Sequence, residues 1–346
     1  MDKRIIKFGI IGCGVISSWH ARAIDAIDGA ELYGVTDVYE PSRISFAEQF
    51  GVKCFDSAEQ LFTCSEIDAV CICTPSGLHA PLAIAAANAG KHIVVEKPMA
   101  ITHEEIEGIL TACKQNNVKM AVISQLRFAP GVRALKEAID KGLMGKIVVA
   151  DLSMKYFRSQ EYYDKGGWRG TWEMDGGGAL MNQGIHGVDI LQYLMGPVKS
   201  VSAITRTLVR NIEVEDTAVA ILEFENGALG QIVGTTSISP GSQRVIEISG
   251  SDGNITMIED KITAWNVDAP LPPKEALPDP DNIYDTSNNP QNFGIAGHTR
   301  QLSDMVDAIR EDRDPKVTQY DGKLPVEIIL AIYESSKTGK VVYLNK

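Results

Sequence analysis

Residues 9–17 read GIIGCGVIS and follow an apolar run, RIIKFGIIG, that has the composition of a buried β-strand. A helix-like pattern, VISSWHARAIDAI, begins at residue 15, so the glycines fall between a strand and a helix. Gly12 permits the tight turn that such a junction needs, and Gly14 lets the backbone approach a pyrophosphate closely. The stretch predicts a dinucleotide-binding turn that opens a doubly wound α/β fold. A glycine turn without a ligand is the alternative.

The helix start and the end of the next strand complete the predicted cofactor site. The peptide N–H groups of Val15 and Ile16, aided by the helix dipole, are placed to hold the phosphates. Asp37 ends the second apolar run about 20 residues beyond the glycines, where a carboxylate accepts hydrogen bonds from the ribose hydroxyls of NAD. The same carboxylate would repel the extra phosphate of NADP. NAD is therefore the predicted cofactor and NADP the less favoured one, because Arg43 could still turn toward a phosphate.

Secondary-structure patterns divide the chain near residue 125. Up to that point short apolar runs alternate with helical patterns, which indicates a parallel sheet covered on both faces. Beyond it, longer strand candidates follow one another, and Asn226-Gly227 between two of them is a strong hairpin signal. We therefore predict a Rossmann domain over residues 1–125 and an α+β domain with a mostly antiparallel sheet over residues 126–346. The segment 268–297, rich in Pro, Asn and Asp, is predicted to be a surface arm or lid.

Composition excludes several classes of function. The formal net charge of -12 argues against a nucleic-acid surface, which needs basic patches. No apolar run approaches the ~20 residues that a membrane span requires. All six cysteines fall in the first third of the chain, and the N-terminus lacks the layout of a signal peptide. The expectation is a cytoplasmic enzyme with free thiols that acts on small molecules and binds neither nucleic acid nor membrane.

Two strand ends in the predicted parallel sheet carry polar residues followed by proline. Thr74-Pro75 closes the run DAVCICTP, and Glu96-Lys97-Pro98 closes the run HIVVEKP. Doubly wound sheets bind ligands beyond the carboxyl ends of their strands, and proline stops ladder pairing there. Lys97 can therefore point into the crevice where a nicotinamide would lie, and a lysine partly removed from water has a lowered pKa. The alternative is a surface salt bridge at a strand tip.

Together these motifs resemble the Gfo/Idh/MocA family, named after glucose–fructose oxidoreductase, inositol dehydrogenase and MocA. The resemblance rests on GIIGCGVIS, TPSGLH, VVEKPMA and GGGALMNQGIHGVDILQYLMG, and it extends over essentially the whole chain. It implies an N-terminal Rossmann domain, a C-terminal domain with a large open sheet, and NAD(P)-dependent oxidoreduction of sugars, cyclitols or nucleotide sugars. It also implies that Lys97 works at the reacting carbon, and that copies of the chain pair through the open sheet as a homodimer or homotetramer.

The last of these motifs carries candidate catalytic side chains at helical spacing. Asn182, His186 and Asp189 are spaced i, i+4, i+7, so on an α-helix they share one face. The family pattern often has D-x-x-x-H here; Asn182 replaces the acid and His186 matches the histidine. An amide only donates and accepts hydrogen bonds, so proton transfer falls to His186 and Lys97. An Asn at this position resembles the branch of the family that acts on UDP-linked amino sugars or their uronic acids.

The stretch before that motif, GGWRGTWEMDGGG, offers candidate substrate contacts. Arg169 could clamp a carboxylate or phosphate, and Trp172 could line a sugar-binding wall or simply pack at a domain interface. For His186 the alternative is a satisfied core histidine, and Asp189 is expected to be structural. No metal site is predicted, because these two residues have no third ligand at suitable spacing. The residues expected to bind the cofactor are Gly12, Gly14, Val15, Ile16, Asp37, Thr74, Pro75, His79, Glu96, Lys97 and Gln125.

The combined prediction is an NAD-dependent dehydrogenase that takes hydride from a secondary alcohol of a sugar, cyclitol or nucleotide sugar. His186 is expected to remove the hydroxyl proton, Lys97 to hydrogen-bond the developing alkoxide, and Asn182 to fix the orientation of the hydroxyl. Three alternatives remain open. They are an NAD-using sugar lyase or glycosidase with transient oxidation, an enzyme that passes hydride between two sugars, and an NAD-binding regulator without turnover.

Overall fold

The computed structural model of the chain describes residues 4–279, 286–290 and 294–344. Contacts among the described residues divide them into two units. The first unit comprises the described residues up to Gln125 together with Ile295–Lys323, and the second comprises those of Leu126–Gly294 and those from Leu324 onward. None of the described helices is both long and apolar enough to cross a bilayer.

Regular structure begins near the N-terminus and continues through both units. The described strands are β1 Ile6–Ile11, β2 Ala30–Thr36, β3 Lys53–Cys54, β4 Ala69–Ile72, β5 His92–Val95, β6 Met120–Val122, β7 Ile147–Lys155, β8 Val198–Arg206, β9 Thr217–Phe224, β10 Leu229–Thr235, β11 Val245–Gly250, β12 Asn254–Ile258, β13 Lys261–Asn266 and β14 Val342–Tyr343. The described α-helices are α1 Val15–Asp25, α2 Glu40–Phe50, α3 Ala58–Thr63, α4 His79–Asn88, α5 His103–Asn116, α6 Pro130–Asp140, α7 Gln160–Asp164, α8 Ile185–Met195, α9 Ala296–Glu311 and α10 Gln319–Thr338. A π-helical segment, Ala179–Gly184, leads directly into α8.

The sheet of the first unit is parallel throughout. Its strand order is β3-β2-β1-β4-β5-β6. The central strands β1, β4 and β5 are largely apolar because both faces of the sheet are covered, and Phe8, Ile10 and Val94 are fully buried. The direction of the strand order reverses between β1 and β4, and the carboxyl ends at this switch point are where such folds bind ligands. The predicted Rossmann fold is confirmed.

The helix α9 lies in the first unit, whereas the predicted second domain, residues 126–346, included it. Leu302 and Met305 of this helix are fully buried in the core that Ala21 and Ile24 of α1 help to form. The helix therefore returns to the Rossmann unit after the chain has built the second sheet. Local composition predicts a helix at this place but carries no signal for the distant surface on which it packs.

The second unit contains a sheet with the order β13-β12-β11-β7-β10-β9-β8-β14. Neighbouring strands are antiparallel except β7 and β10, which run parallel. The Asn226-Gly227 hairpin is confirmed, because β9 and β10 pair with Glu223 opposite Leu229. Burial alternates along β9, so one face of the sheet lies in the core and the other is exposed. The predicted α+β unit with an open, mostly antiparallel sheet is confirmed.

The predicted surface arm, residues 268–297, lies partly outside the described residues. Where it is described, Ala276 is fully buried. The carbonyl oxygen of Ser287 accepts hydrogen bonds from Phe157 N at 2.9 Å and from Arg158 Nη1 at 2.8 Å. These parts of the segment are docked on the second unit.

Candidate active site

The turn between β1 and α1 forms an open phosphate cradle. Gly12 has a φ of +93°, a conformation that side chains rarely adopt, and a Cβ there would lie 2.9 Å from the carbonyl of Cys73. No described atom lies within 4 Å of a Cβ built on Gly14. No described side chain caps α1, so the N–H groups of its first residues, Val15 and Ile16, are available to an anion. A dinucleotide phosphate fits this turn in size and charge.

Asp37, directly after β2, ties the glycine turn to the second strand. Its Oδ2 accepts a hydrogen bond from Cys13 N at 2.7 Å, and its Oδ1 accepts one from Tyr39 N at 2.7 Å. Arg43, the residue that could have favoured a phosphate on the ribose, pairs with Asp56 at 2.8 Å. A carboxylate beside the turn and an arginine held elsewhere both favour the unphosphorylated ribose of NAD.

Two buried polar atoms beyond the parallel strands lack hydrogen-bond partners within the described part of the chain. They are Thr74 Oγ1, after β4, and Gln125 Oε1, after β6. Buried polar atoms are normally satisfied, so both atoms indicate a ligand. Pro75 follows Thr74 and precedes a short 3₁₀ turn, Ser76–Leu78, that leads the chain away from the strand end. Ribose hydroxyls and the nicotinamide amide carry the donors that these oxygens need, so the residues present fit a bound dinucleotide.

His79 joins two strand-end segments from inside the first unit. Its Nδ1 lies 2.6 Å from Pro98 O, its Nε2 lies 2.9 Å from Thr74 O, and the residue is buried. Burial lowers the pKa of His79, and the two carbonyl contacts oppose this effect without outweighing it. Both ring nitrogens contact backbone carbonyls, so the ring supports the segments that carry Thr74 and Lys97. The sequence predicted a direct contact with the cofactor for this residue.

Glu96 lies in a buried cluster with two histidines, here named the His–Glu–His cluster. Its Oε1 is 2.8 Å from His20 Nε2 on α1 and 3.6 Å from His298 Nε2 on α9. His20, Glu96 and His298 are 0%, 5% and 1% exposed, which separates all three from bulk water. The sequence predicted that Glu96 binds the cofactor. The cluster was missed because its three members are far apart in the chain.

The charges of the His–Glu–His cluster follow from these contacts. Burial disfavours a charged Glu96, but the contacts with His20 and His298 outweigh it and hold the pKa of the carboxyl well below its ordinary value. Burial also disfavours a charged His20, but Cys73, Cys71 and Glu96 outweigh it and raise the pKa of that ring well above its ordinary value. For His298 burial prevails and lowers the pKa. These shifts favour the charged forms of Glu96 and His20 and the neutral form of His298.

The same three residues are the one group of three possible metal ligands found among the described residues. A metal ion would need ligand atoms about 2 Å from itself and well apart from one another. The 2.8 Å between His20 Nε2 and Glu96 Oε1 is a direct hydrogen-bond distance. The geometry therefore favours a direct hydrogen bond between His20 and Glu96 over a metal ion shared by the three residues.

Lys97 follows the cluster directly. The residue is half-buried and stands between buried neighbours, Glu96 and Pro98. Its backbone N–H donates a hydrogen bond to Glu96 Oε2 at 3.2 Å. Lys97 thus lies beyond the carboxyl end of β5, and ligands of this fold bind at the carboxyl ends of the strands.

In the second unit, Asn182 and His186 are half-buried, and the chain neighbours of His186 are buried. Asn182 lies in the π-helical segment and His186 in α8, so the predicted α-helical spacing applies only from Ile185 onward. Asp189 is buried and its Oδ1 lies 2.6 Å from Arg127 Nη2, which gives it a structural partner. Asn182 and His186 remain the candidates of this motif for contact with a substrate.

Asp175, which the sequence analysis did not single out, supplies a buried carboxylate beside Asn182. Its Oδ1 accepts a hydrogen bond from Asn182 Nδ2 at 2.6 Å, and its Oδ2 accepts one from Gly170 N at 2.9 Å. Asn182 Oδ1 accepts a hydrogen bond from Gln183 Nε2 at 2.9 Å. These contacts fix the orientation of the Asn182 amide. A carboxylate therefore lies next to position 182 in this chain, although residue 182 itself is an amide.

A second buried carboxylate, Glu215, anchors the π-helical segment. Its Oε1 accepts hydrogen bonds from Leu180 N at 2.9 Å and Tyr333 Oη at 3.0 Å, and its Oε2 accepts one from Gly178 N at 2.9 Å. A Cβ on Gly178 would overlap the carbonyl of Glu215, so only glycine allows this approach. Burial raises the pKa of Glu215 to about 7 against the opposing effect of these hydrogen bonds. The segment that carries Asn182 therefore rests on a group that titrates near neutrality.

Arg169 and Trp172 lie in aromatic surroundings. The guanidinium carbon of Arg169 is 4.8 Å from the ring centroid of Tyr162 and 4.8 Å from that of Trp168. Trp172 is 48% exposed and packs edge-on against Tyr333, with ring centroids 5.3 Å apart. A stacked guanidinium and a partly exposed indole are groups that bind anions and sugar rings.

Known proteins resemble this chain in sequence and in structure. The family model described as oxidoreductase family, NAD-binding Rossmann fold, matches residues 6–124, and that of the GFO/IDH/MocA C-terminal domain matches residues 132–256. Myo-inositol 2-dehydrogenase of Thermotoga maritima is 31% identical over 265 residues, which are 72% of this chain and 74% of that protein. The crystal structure of the WlbA dehydrogenase from Bordetella pertussis in complex with NADH and UDP-GlcNAcA has a TM-score of 0.90 and 34% identity, covering 100% of this chain and 99% of that one. The corresponding WlbA complex from Chromobacterium violaceum has a TM-score of 0.89 and 32% identity, covering 100% and 97%.

The chain has a Rossmann unit with an open phosphate cradle and an α+β unit in which Asn182 and His186 are half-buried. These features define an NAD-dependent dehydrogenase that acts on CH–OH groups. The chain belongs to the Gfo/Idh/MocA family, and the resemblance seen in its motifs is confirmed. It is an oxidoreductase with an NAD-binding Rossmann fold.

Proposed function

We propose that the substrate is a UDP-linked amino-sugar acid, a UDP-N-acetylglucosamine uronic acid or a close relative, oxidised at a ring hydroxyl. The observation that carries this proposal is the similarity, over 100% of the chain, to the WlbA dehydrogenase whose structure holds UDP-GlcNAcA. The similarity to the inositol dehydrogenase covers 72% of the chain at lower identity. Asn182 at a position where the family often has an acid supports the same branch.

The proposed roles follow from the chemistry of each side chain. NAD, when bound, accepts the hydride. His186 takes the proton of the hydroxyl, because an imidazole titrates near neutrality. Lys97 donates a hydrogen bond to the oxygen as it gains negative charge, an interaction that strengthens in the transition state. Asn182, whose amide is oriented by Asp175, directs the hydroxyl.

Arg169 is proposed to recognise the carboxylate of the sugar acid. Its guanidinium stacks on Tyr162 and Trp168, which fixes its plane at little further cost in side-chain entropy. Trp172, 48% exposed, offers an apolar surface to the sugar ring. A charged hydrogen bond of this kind contributes about 1.5–3 kcal/mol, or about tenfold to a hundredfold in kcat/KM.

The experiment is a substrate series read by NADH formation. UDP-GlcNAcA, UDP-GlcNAc, UDP-glucuronic acid and myo-inositol are compared with the wild-type chain and with Arg169→Met. UDP-GlcNAcA should give the highest kcat/KM, and UDP-GlcNAc should fall about tenfold to a hundredfold lower because it lacks the carboxylate. Arg169→Met should remove most of that difference by lowering only the values of the acid substrates.

Other outcomes separate the alternatives. Myo-inositol as the best substrate would overturn the proposed substrate class. Product formation without net NADH would indicate a lyase or glycosidase with transient oxidation. Turnover that requires two sugars, one oxidised and the other reduced, would indicate hydride transfer between sugars. Tight NADH binding without turnover on any sugar would indicate a regulator.

We also propose that copies of the chain associate through the exposed face of the second sheet. Ile204 of β8, Val219 of β9 and Val233 of β10 stand side by side in register. The large apolar residues exposed on these strands are Ile204 (62%), Val219 (47%), Ile221 (63%) and Leu229 (55%). Ser202 and Gln231 lie beside Ile221 on this face, so the face is partly polar. Several exposed large apolar side chains on one sheet face still favour an association surface, which supports a homodimer or homotetramer.

The proposed compartment is the cytoplasm. All six cysteines are free thiols, and Cys71, Cys73 and Cys113 are buried. Free thiols are typical of proteins kept in a reducing environment.

A further inference from the structure

The His–Glu–His cluster is a buried group of titratable side chains to which the proposed reaction gives no part. Its members come from three separate elements: His20 from α1, Glu96 from the end of β5, and His298 from the first turn of α9. The His20 and His298 rings are in edge contact, with centroids 5.4 Å apart. Two helices and a strand end therefore meet at a single carboxylate.

That carboxylate also contacts the backbone of Lys97. Glu96 Oε1 faces the two histidines, and Glu96 Oε2 accepts the hydrogen bond of Lys97 N at 3.2 Å. On the other side of the lysine, Pro98 O contacts His79 Nδ1 at 2.6 Å. The backbone of Lys97 is thus fixed at both ends by contacts with buried side chains.

The start of α9 is built to hold strand ends. Gln301, one turn after His298, accepts a hydrogen bond from Ser124 N at 2.9 Å and donates one to Val122 O at 2.7 Å. One face of this helix therefore contacts the ends of β5 and β6, the edge at which the cofactor site forms. A helix that only completed the core would not need two polar side chains there.

Electrostatic coupling connects the cluster with the lysine. The positive charge of Lys97 contributes to lowering the pKa of His298 and of His79, after the larger effect of burial.

We propose that His20 and His298 are positioning residues that act through Glu96. They hold the carboxylate that fixes the backbone of Lys97, and His20 takes up its negative charge, so that Glu96 serves as an anchor of the lysine and not as its counter-ion. The proposal rests on the assignment of Lys97 to the reaction in the proposed function. It gives Glu96 a role different from the cofactor contact that the sequence predicted.

The test compares three variants of α9. His298→Leu removes the polar contact with Glu96, and His298→Gln keeps a donor of similar reach. Val306→Ala is the matched control, because Val306 is fully buried in the core of the same helix and is not part of the cluster. For each variant we would measure kcat, the Kd of NADH, the Tm, and the labelling rate of the Lys97 amine by acetic anhydride, quantified by mass spectrometry over a range of pH.

His298→Leu should lower kcat about tenfold to a hundredfold and change the Lys97 labelling profile, because a small displacement of a catalytic group has effects of this size. The Kd of NADH should change less than about threefold, well under the tenfold that 1.4 kcal/mol represents. His298→Gln should restore kcat and labelling, and Val306→Ala should lower the Tm without changing either.

Several results would overturn the proposal. If His298→Leu kept the labelling rate and kcat of the wild type, the cluster would have no positioning role. If the variant bound NADH more weakly at an unchanged kcat, the cluster would instead be assigned to the cofactor site. Stoichiometric zinc in the purified protein would make the cluster a metal site. The labelling comparison needs no substrate, so it still decides the positioning role if no sugar is turned over and the proposed function fails.

Discussion

Asp175 Oδ1 lies 2.6 Å from Asn182 Nδ2, so a buried carboxylate stands directly behind the amide at a position where the family often has an acid. The amide is held by Asp175 on one side and by Gln183 on the other. At position 182 the chain thus presents a neutral amide, and the carboxylate lies on the neighbouring Asp175 side chain. This arrangement suits a substrate that carries its own carboxylate, because two like charges in contact would be costly.

Exchanging the two residues tests this pair. Asp175→Asn places an amide against an amide and should lower kcat about tenfold to a hundredfold, since an unsatisfied buried donor costs about 1–3 kcal/mol. The double variant Asp175→Asn, Asn182→Asp restores a carboxylate–amide pair. Its kcat should be at least tenfold higher than that of the single variant Asp175→Asn. A double variant no more active than the single one, with an unchanged Tm, would show that the pair does not orient the site.

Glu215 predicts a stability that depends on pH. Its pKa is about 7 in the folded chain against an ordinary value of 4.5, so between these values the folded state holds a proton that the unfolded state releases. Stability should therefore fall as the pH rises through this window and level off above it, by at most about 3 kcal/mol. Urea unfolding midpoints of the wild type and of Glu215→Gln across this range check the effect. The variant should lose most of the slope, and an equal slope in both proteins would assign the effect to other groups.

The choice of cofactor should depend on Asp37. The variant Asp37→Ala removes the carboxylate and should weaken the binding of NAD by about 1–3 kcal/mol. It should also shift the preference toward NADP, because the charge that repels a ribose phosphate is lost. Asp37→Asn is the control: it keeps the shape and an acceptor for Cys13 N while removing the charge. The ratio of kcat/KM for NAD and NADP is the readout, and an unchanged ratio in both variants would mean that Asp37 does not touch the ribose.

The sequence alone predicted the parts of the molecule that depend on local pattern. The glycine turn, Asp37 after the second strand, and the Asn226-Gly227 hairpin each have their signal within a few residues, and the fold that they imply is confirmed. The docking of α9 on the Rossmann unit depends on packing between segments far apart in the chain.

The site shows the same limit. The link between Asp175 and Asn182 spans a π-helical segment, whose spacing differs from the α-helical one assumed for the motif. The partners of Glu96 come from α1 and α9, and no local signal joins them. The sequence therefore identified Glu96 as a candidate, but it could not assign the role of this side chain, which depends on partners far away in the chain.

The exposed sheet face predicts a change of oligomeric state. Ile221→Glu puts a charge at the centre of this face, where burial against a second copy would leave it unpaired at a cost of several kcal/mol. The variant should run as a smaller species than the wild type in sedimentation velocity at equal concentration. Gln115→Glu, an exposed change on α5 of the first unit, is the control and should not alter the species observed. Identical sedimentation of Ile221→Glu and the wild type would place any association elsewhere.

The most direct test of the account is the rate of hydride transfer in Lys97→Met, measured in a single turnover with NAD and the best substrate of the series. The account predicts a fall of about 10²–10⁴-fold, with NADH affinity nearly unchanged, because the lost hydrogen bond acts on the transition state. Lys97→Arg, which keeps the charge, should fall less. A rate in Lys97→Met within a few-fold of the wild type would contradict the assignment of Lys97 and the mechanism built on it.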